Sequence, residues 1–130
     1  MTSTVRALAL IASLAAAAAA PAGAAPGDYS FEPVTVDVRN GPGSELAVRI
    51  VHKPTGRPVE GAVLFRTRLD MSPDSMVEMT AKHVAEPSTE PGVYRFRADL
   101  TMEGGWALKL MAKVPGEHET VRATVIFRAK

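Results

Sequence analysis

The 130-residue chain contains no cysteine. It therefore cannot be a disulfide-stapled mini-protein, and it has no thiol to carry a lipid. Charge is nearly missing from its start, where Arg6 is the only charged side chain before Asp28. No apolar stretch is long enough to cross a bilayer: the longest runs from Ala7 to Ala20, whereas a spanning helix needs roughly 20 residues. The length excludes a large multidomain enzyme and a polytopic membrane protein.

Catalytic signatures are also missing. There is no Gly-x-Ser-x-Gly elbow, no glycine-rich phosphate loop and no His-Glu-x-x-His pair, and the carboxylates are dispersed rather than paired. These absences point away from an enzyme. No basic run exists either. With residues 1–24 set aside, 14 basic residues face 14 acidic ones. A neutral balance argues against nucleic-acid binding, which needs clustered positive charge to release counterions.

What the chain does have is alanine, concentrated at one end. Twelve of its 21 alanines lie within the first 25 residues, six of them consecutive from Ala15 to Ala20. A short segment with one positive charge, an apolar stretch, the break at Pro21 and the small residues Ala22-Gly23-Ala24 form the layout of a secretory signal peptide. Residues 1–24 are expected to be a helical signal peptide, cleaved after Ala24, with Ala22 or Ala25 as alternative sites and an uncleaved anchor as the other reading. The mature protein is then expected in the periplasm or outside the cell, with no membrane span after cleavage.

Beyond residue 25, apolar and polar residues alternate with the period of a half-buried strand. Seven segments show it: Val34-Val36-Val38, Leu46-Val48-Ile50, Val63-Phe65-Thr67-Leu69, a weaker stretch from Val77 to Val84, Tyr94-Phe96-Ala98-Leu100, Trp106-Leu108-Leu110-Ala112, and Val121-Ala123-Val125-Phe127. Turn-forming clusters separate them, such as Lys53-Pro54-Thr55-Gly56, Glu90-Pro91-Gly92 and Pro115-Gly116. The pattern predicts an all-β fold, a seven-stranded immunoglobulin-like antiparallel β-sandwich over residues 33–130. Residues 25–32 read as a flexible lead-in, and Trp106 as a core anchor. Arg66, Arg68, Arg95 and Arg97 alternate on two strands and would form one basic stripe if those strands were neighbours.

Methionine carries the chemical signal. Met71, Met76 and Met79 fall within nine residues, His83 follows, and Met102 stands before the Glu103-Gly104-Gly105 turn. Thioether sulfur suits Cu(I), and imidazole suits copper in either oxidation state. Met71, Met76 and Met102 are the candidate soft ligands, with Met79 or His83 completing the set. Methionines also fill irregular cores. On a single strand Met79 and His83 would stand about 13 Å apart, too far to share an ion directly.

Several of these segments carry a family likeness. The run Gly56-Arg57-Pro58-Val59-Glu60-Gly61-Ala62-Val63 resembles a turn and strand common in exported bacterial immunoglobulin-like modules. The methionine loop, then Pro91-Gly92-Val93-Tyr94 and Met102-Glu103-Gly104-Gly105-Trp106, resembles the YtkA-like / FixH-like family over roughly residues 44–128. That resemblance implies a small sandwich outside the cytoplasmic membrane, associated with copper or heavy-metal handling. It places the methionine-loop positions on Met71, Met76 and Met79 and the last-motif methionine on Met102. The loop here is thinner in methionine than the family pattern, and the anchor of FixH proteins is not evident. Two functions are expected from the sequence. One is an exported copper-associated binding protein. The other is a metal-free interaction module that docks on an envelope protein partner, as an accessory of an efflux system or of cytochrome oxidase assembly.

Overall fold

A computed structural model describes residues 26–130; the expected signal peptide lies outside the described residues. A 3-10 turn (Pro26–Asp28) leads into β1 (Tyr29–Pro33), β2 (Asp37–Val38), β3 (Gly41–His52), β4 (Arg57–Pro58) and β5 (Val63–Met71). A second 3-10 turn (Ser72–Asp74) precedes β6 (Met76–Thr80), β7 (His83–Glu86), β8 (Val93–Leu100), β9 (Gly104–Lys113) and β10 (Val121–Ala129).

The strands form two five-stranded sheets. The first runs β1-β3-β8-β7, with β4 paired to the end of β3; the second runs β2-β10-β9-β5-β6. Every pairing is antiparallel except that of β2 with β10. The fold is an immunoglobulin-like β-sandwich, as the alternation predicts.

The core follows from that alternation. From the first sheet Leu46, Val48, Ile50, Phe96, Ala98 and Leu100 point inward. From the second come Leu69, Trp106, Leu108, Leu110, Val125 and Phe127. Trp106 is fully buried, and its indole Nε1 donates to the Met102 carbonyl at 3.0 Å. Each large apolar side chain so buried contributes about 1.5–3 kcal/mol, which lets a domain without disulfides hold by its core. Gly92, at φ 77°, lets the start of β8 meet β4: a Cβ there would stand 2.5 Å from Pro58 Cβ. Its carbonyl accepts from Ile50 N at 2.8 Å.

The structure has ten strands rather than seven. Two arise where no strand was expected. The lead-in read over 25–32 is largely β1, registered on β3 from Tyr29↔His52 to Pro33↔Val48. Its weak alternation hid it, because an edge strand needs only part of one face buried. β4 is the other, a two-residue arm of the Lys53–Pro58 turn. Around Val34, Val36 and Val38 only two residues form a strand, and Val34 and Val36 are exposed. The stretch from Val77 to Val84 is broken: β6 ends at Thr80, and β7 begins at His83 in the other sheet. Ala81, buried between them, donates to the Leu69 carbonyl at 3.0 Å, and the Lys82 carbonyl accepts from Asp99 at 2.9 Å. The chain thus crosses the sandwich in two residues. In β5 the expected face from Val63 to Leu69 is interrupted. The register against β9 shifts between Phe65 and Arg68, and Arg66 takes φ 51°. This bulge leaves Val63 60% exposed while Leu69 is buried.

Candidate functional site

The candidate methionines lie on β5, on β6 and in the turn between β8 and β9. Met71 ends β5 directly opposite Met76 at the start of β6. Between them the Ser72–Asp74 turn closes through a bond from Ser75 N to the Ser72 carbonyl, with Ser75 left-handed at φ 61°. That turn packs on the first residues of β9. A Cβ on Gly104, at φ 132°, would collide with the Asp74 carboxylate and come within 2.9 Å of Met71 Cε. One on Gly105 would stand 2.8 Å from Pro73 Cβ. Gly105 N donates to Asp74 Oδ2 at 3.1 Å. The Met102–Trp106 run therefore has a physical logic. Met102 supplies the carbonyl for the indole, two glycines admit the turn, and Trp106 fills the core.

Met71 is fully buried, Met76 is packed partly buried against the core, and Met102 is 36% exposed. The fold brings these three to one end of the sandwich. It does not bring Met79 and His83 with them. Met79 lies three residues along β6, about 10 Å of strand, and is exposed. His83 opens β7 in the other sheet. Its Nδ1 bonds the Ala81 carbonyl at 3.0 Å, so Nδ1 carries the proton. Its Nε2 meets Thr67 Oγ1 at 2.7 Å. In the neutral ring the hydroxyl donates to the lone pair that a metal would need. No group of three or more His, Cys, Asp or Glu side chains converges as a metal site among the described residues. His52 bonds Thr55 Oγ1 at 2.8 Å, and His118 is exposed.

A groove of about 390 Å³ lies between the 60–64 segment and the β7–β8 hairpin, with Ala62, Leu64, Tyr94 and Phe96 in its wall. Its phenol is already engaged. Tyr94 donates to the Val59 carbonyl at 2.7 Å and accepts from Ala62 N at 2.9 Å. Burial raises its pKa, against a pull downward from the Ala62 N–H. The groove's polar centre thus pins the Val59–Ala62 turn.

Charge is sorted between the two sheets. Strands β1, β3, β7 and β8 carry Arg49, Arg95 and Arg97 against Glu32, Glu45, Glu86 and Asp99. Arg95 bonds Glu45 at 3.3 Å and Glu90 at 2.8 Å; Arg97 bonds Glu86 at 2.6 Å. The cross-strand register sets Glu32 beside Arg49. In the second sheet β5, β9 and β10 carry Arg66, Arg68, Lys109, Lys113, Arg122 and Arg128 against Asp70 alone. The edge strands add Glu78 and Asp37, the latter bonded to Lys130 at 3.2 Å. The condition for one basic stripe from Arg66, Arg68, Arg95 and Arg97 is not met, because β5 and β8 belong to different sheets.

Asp70 is fully buried beneath its neighbours. Its Oδ2 accepts from Arg68 Nε at 2.8 Å and Lys109 Nζ at 3.0 Å, and its Oδ1 from Ser72 N at 2.9 Å. Burial acts to raise its pKa. Bonds from the Ser72 hydroxyl and N–H, Lys109 and Arg68 outweigh that and hold the carboxyl well below the usual carboxylate range. Arg66, Lys113, Arg122 and Arg128 have no side-chain hydrogen bond or ion pair among the described residues. The register lays them in rows: Lys113 beside Val63, Arg122 beside Met111 and Phe65, Arg128 beside Gly105. A shallow cleft of about 380 Å³ opens among Arg66, Lys109, Met111, Arg122 and Thr124. Sequence reasoning missed this face because its cations come from three strands far apart in the chain.

A family model of YtkA-like proteins matches residues 23–111. The chain belongs to the YtkA-like family. The match contains the methionine loop, the Gly-Val-Tyr turn and the Gly-Gly-Trp motif, and ends within β9. By sequence, no curated protein matches the chain. Two solved structures are similar to this YtkA-like domain at low identity. The Lin-41 filamin domain is 15% identical with a TM-score of 0.47, over 84% of this chain and 100% of that one. The ZirS C-terminal domain is 8% identical with a TM-score of 0.45, over 98% of this chain and 86% of that one.

Proposed function

We propose that this YtkA-like domain is a non-catalytic binding module, exported to the cell envelope, that docks an anionic partner on the outer face of its second sheet. The export reading rests on the composition of residues 1–24. The docking reading rests on one observation: three adjacent strands hold six cations against one carboxylate, and four of those cations are unneutralised. Unpaired charge on a rigid face attracts an oppositely charged partner and raises its rate of encounter. Exposed Val63 and Ile126 lie on the same face and give apolar contact between the cations.

The test uses fluorescent polyglutamate and the purified protein at low and high salt. Binding is expected to weaken steeply with salt and to fall at least tenfold in an Arg66→Glu/Arg122→Glu/Arg128→Glu variant. An Arg95→Glu/Arg97→Glu variant, changed on the other face, keeps its binding. Equal binding by both variants overturns the reading.

A second reading has its own support. Met71 stands opposite Met76, with Met102 in the turn beside them, so soft donors gather at one end. A Cu(I) ion bound there would take Met76 and Met102 first, with Met71 beneath. Cu(I) titration against a competing chelator tests it. A Met76→Ala/Met102→Ala variant, which leaves the buried Met71 in place, is expected to lose at least tenfold in affinity. Equal affinity removes copper from the account.

A further inference from the structure

The edge of the second sheet beside the basic face is unpaired over most of its length among the described residues. β10 pairs with β9 along its whole length, in register from Val121↔Ala112 to Ala129↔Gly104 with no bulge. On its other side β2 reaches only Arg128 and Ala129. Arg128 N donates to the Val36 carbonyl at 2.8 Å and Lys130 N to the Val38 carbonyl at 3.0 Å. Backbone groups of this parity therefore face the β2 side. The same alternation turns the N–H and C=O groups of Arg122, Thr124 and Ile126 to that edge, where no strand is hydrogen-bonded to them among the described residues, β1 lying nearby but paired to β3. The side chains of these residues, with Arg128, stand on the exposed outer face.

We infer that the partner of this surface is an extended acidic segment of another protein, added as a strand to β10 beside β2. The inference rests on the docking role proposed above and deepens it. The ladder groups of Arg122, Thr124 and Ile126 would hold the segment's backbone. Its outward side chains, at every second residue, would face Arg122, Thr124 and Ile126, stopping short of Arg128, whose place in the ladder β2 already takes. A segment with one carboxylate opposite Arg122 and another at its β2 end sets the first across the ladder from a cation and the second diagonal to Arg128, and opposite charges across a ladder stabilise the pairing.

The probe is a nine-residue peptide alternating glutamate with valine or threonine, read by fluorescence anisotropy and by amide hydrogen exchange of the full protein. Slowed exchange at the amides of Arg122, Thr124 and Ile126 is expected on binding, with Ala123 and Val125, already bonded to β9, unchanged. Thr124→Pro removes the central edge donor while leaving the β9 ladder intact. It is expected to weaken binding about tenfold, the size of one net hydrogen bond plus local misfit. A peptide of the same composition with N-methyl groups at its ladder positions is expected to bind no better than that variant does. Peptide binding without protection at these three amides overturns strand addition and leaves docking on the face standing. Absence of salt-sensitive peptide binding overturns both. Binding to anionic phospholipid vesicles but not to the peptide identifies a membrane surface instead and also overturns the inference.

Discussion

The two outer faces of the sandwich are made of the same kinds of residue and treat charge in opposite ways. On the first, Arg95 and Arg97 each find a carboxylate, and cations and anions are nearly equal in number over the sheet as a whole. On the second, six cations share one buried carboxylate. Residues 26–130, formally neutral with 14 basic and 14 acidic side chains, thus present two faces of different charge, and net charge describes neither. Neutralised pairs at a surface contribute little to stability but leave no handle for a partner. Uncompensated cations cost some self-repulsion and provide one.

The comparison is most sharply tested at Asp70. Asp70→Ala would leave the Ser72 N–H without its acceptor and remove the one anion that Arg68 and Lys109 bond. It is expected to lower unfolding stability by about 2–3 kcal/mol in urea denaturation. The half-exposed Arg68 and Lys109 give less of that than the buried Ser72 bond. The pH dependence should carry the same signature. Folding holds the Asp70 carboxyl below its usual range, so the unfolded chain takes up the proton first as pH falls. Its contribution is complete above about pH 5 and is lost progressively below the unfolded carboxylate value near 4. Thermal melts from pH 6 to pH 2 should show a shallower acid slope in Asp70→Asn than in the wild type.

On the first face, Arg95→Ala should cost about 0.5–1 kcal/mol, the upper range for exposed pairs, because one guanidinium meets two carboxylates. On the second, Arg122→Glu should leave stability within about 0.5 kcal/mol of the wild type. Added salt should raise the wild-type melting temperature slightly by screening the cations, and raise that of Arg122→Glu less. A larger loss at Arg122 than at Arg95 would mean that the second face is a structural network and not a free surface.

Much of the sandwich was legible in the sequence. β3, β8, β9 and β10 bury the residues their alternation names, because each keeps one face inward along its whole length. The failures occur where a strand changes face or sheet. The Arg66 bulge breaks the period of β5. The Ala81–Lys82 crossing divides one apparent strand between two sheets. β1 has little alternation to show, since it covers an edge. The candidate site was legible in a different measure. Met71 stands opposite Met76 and Met102 precedes the Gly104-Gly105 turn, but those glycines, read only as a turn, are what admit the packing of the Ser72–Asp74 turn. The basic face could not be read at all. Whether Arg122 lies beside Arg66 depends on strand order, and alternation says nothing about order.

The crossings have a kinetic consequence. Neither sheet is built from a continuous stretch of chain: the first needs residues from Tyr29 to Leu100, and the second from Asp37 to Ala129. Trp106, Val125 and Phe127 reach the core only from the last two strands. No half of the domain has a core of its own, so folding must wait for nearly the whole sequence and proceed through distant pairings, which are slow to close. Until β10 arrives the sandwich lacks Val125 and Phe127, and neither sheet has its full partner to pack on.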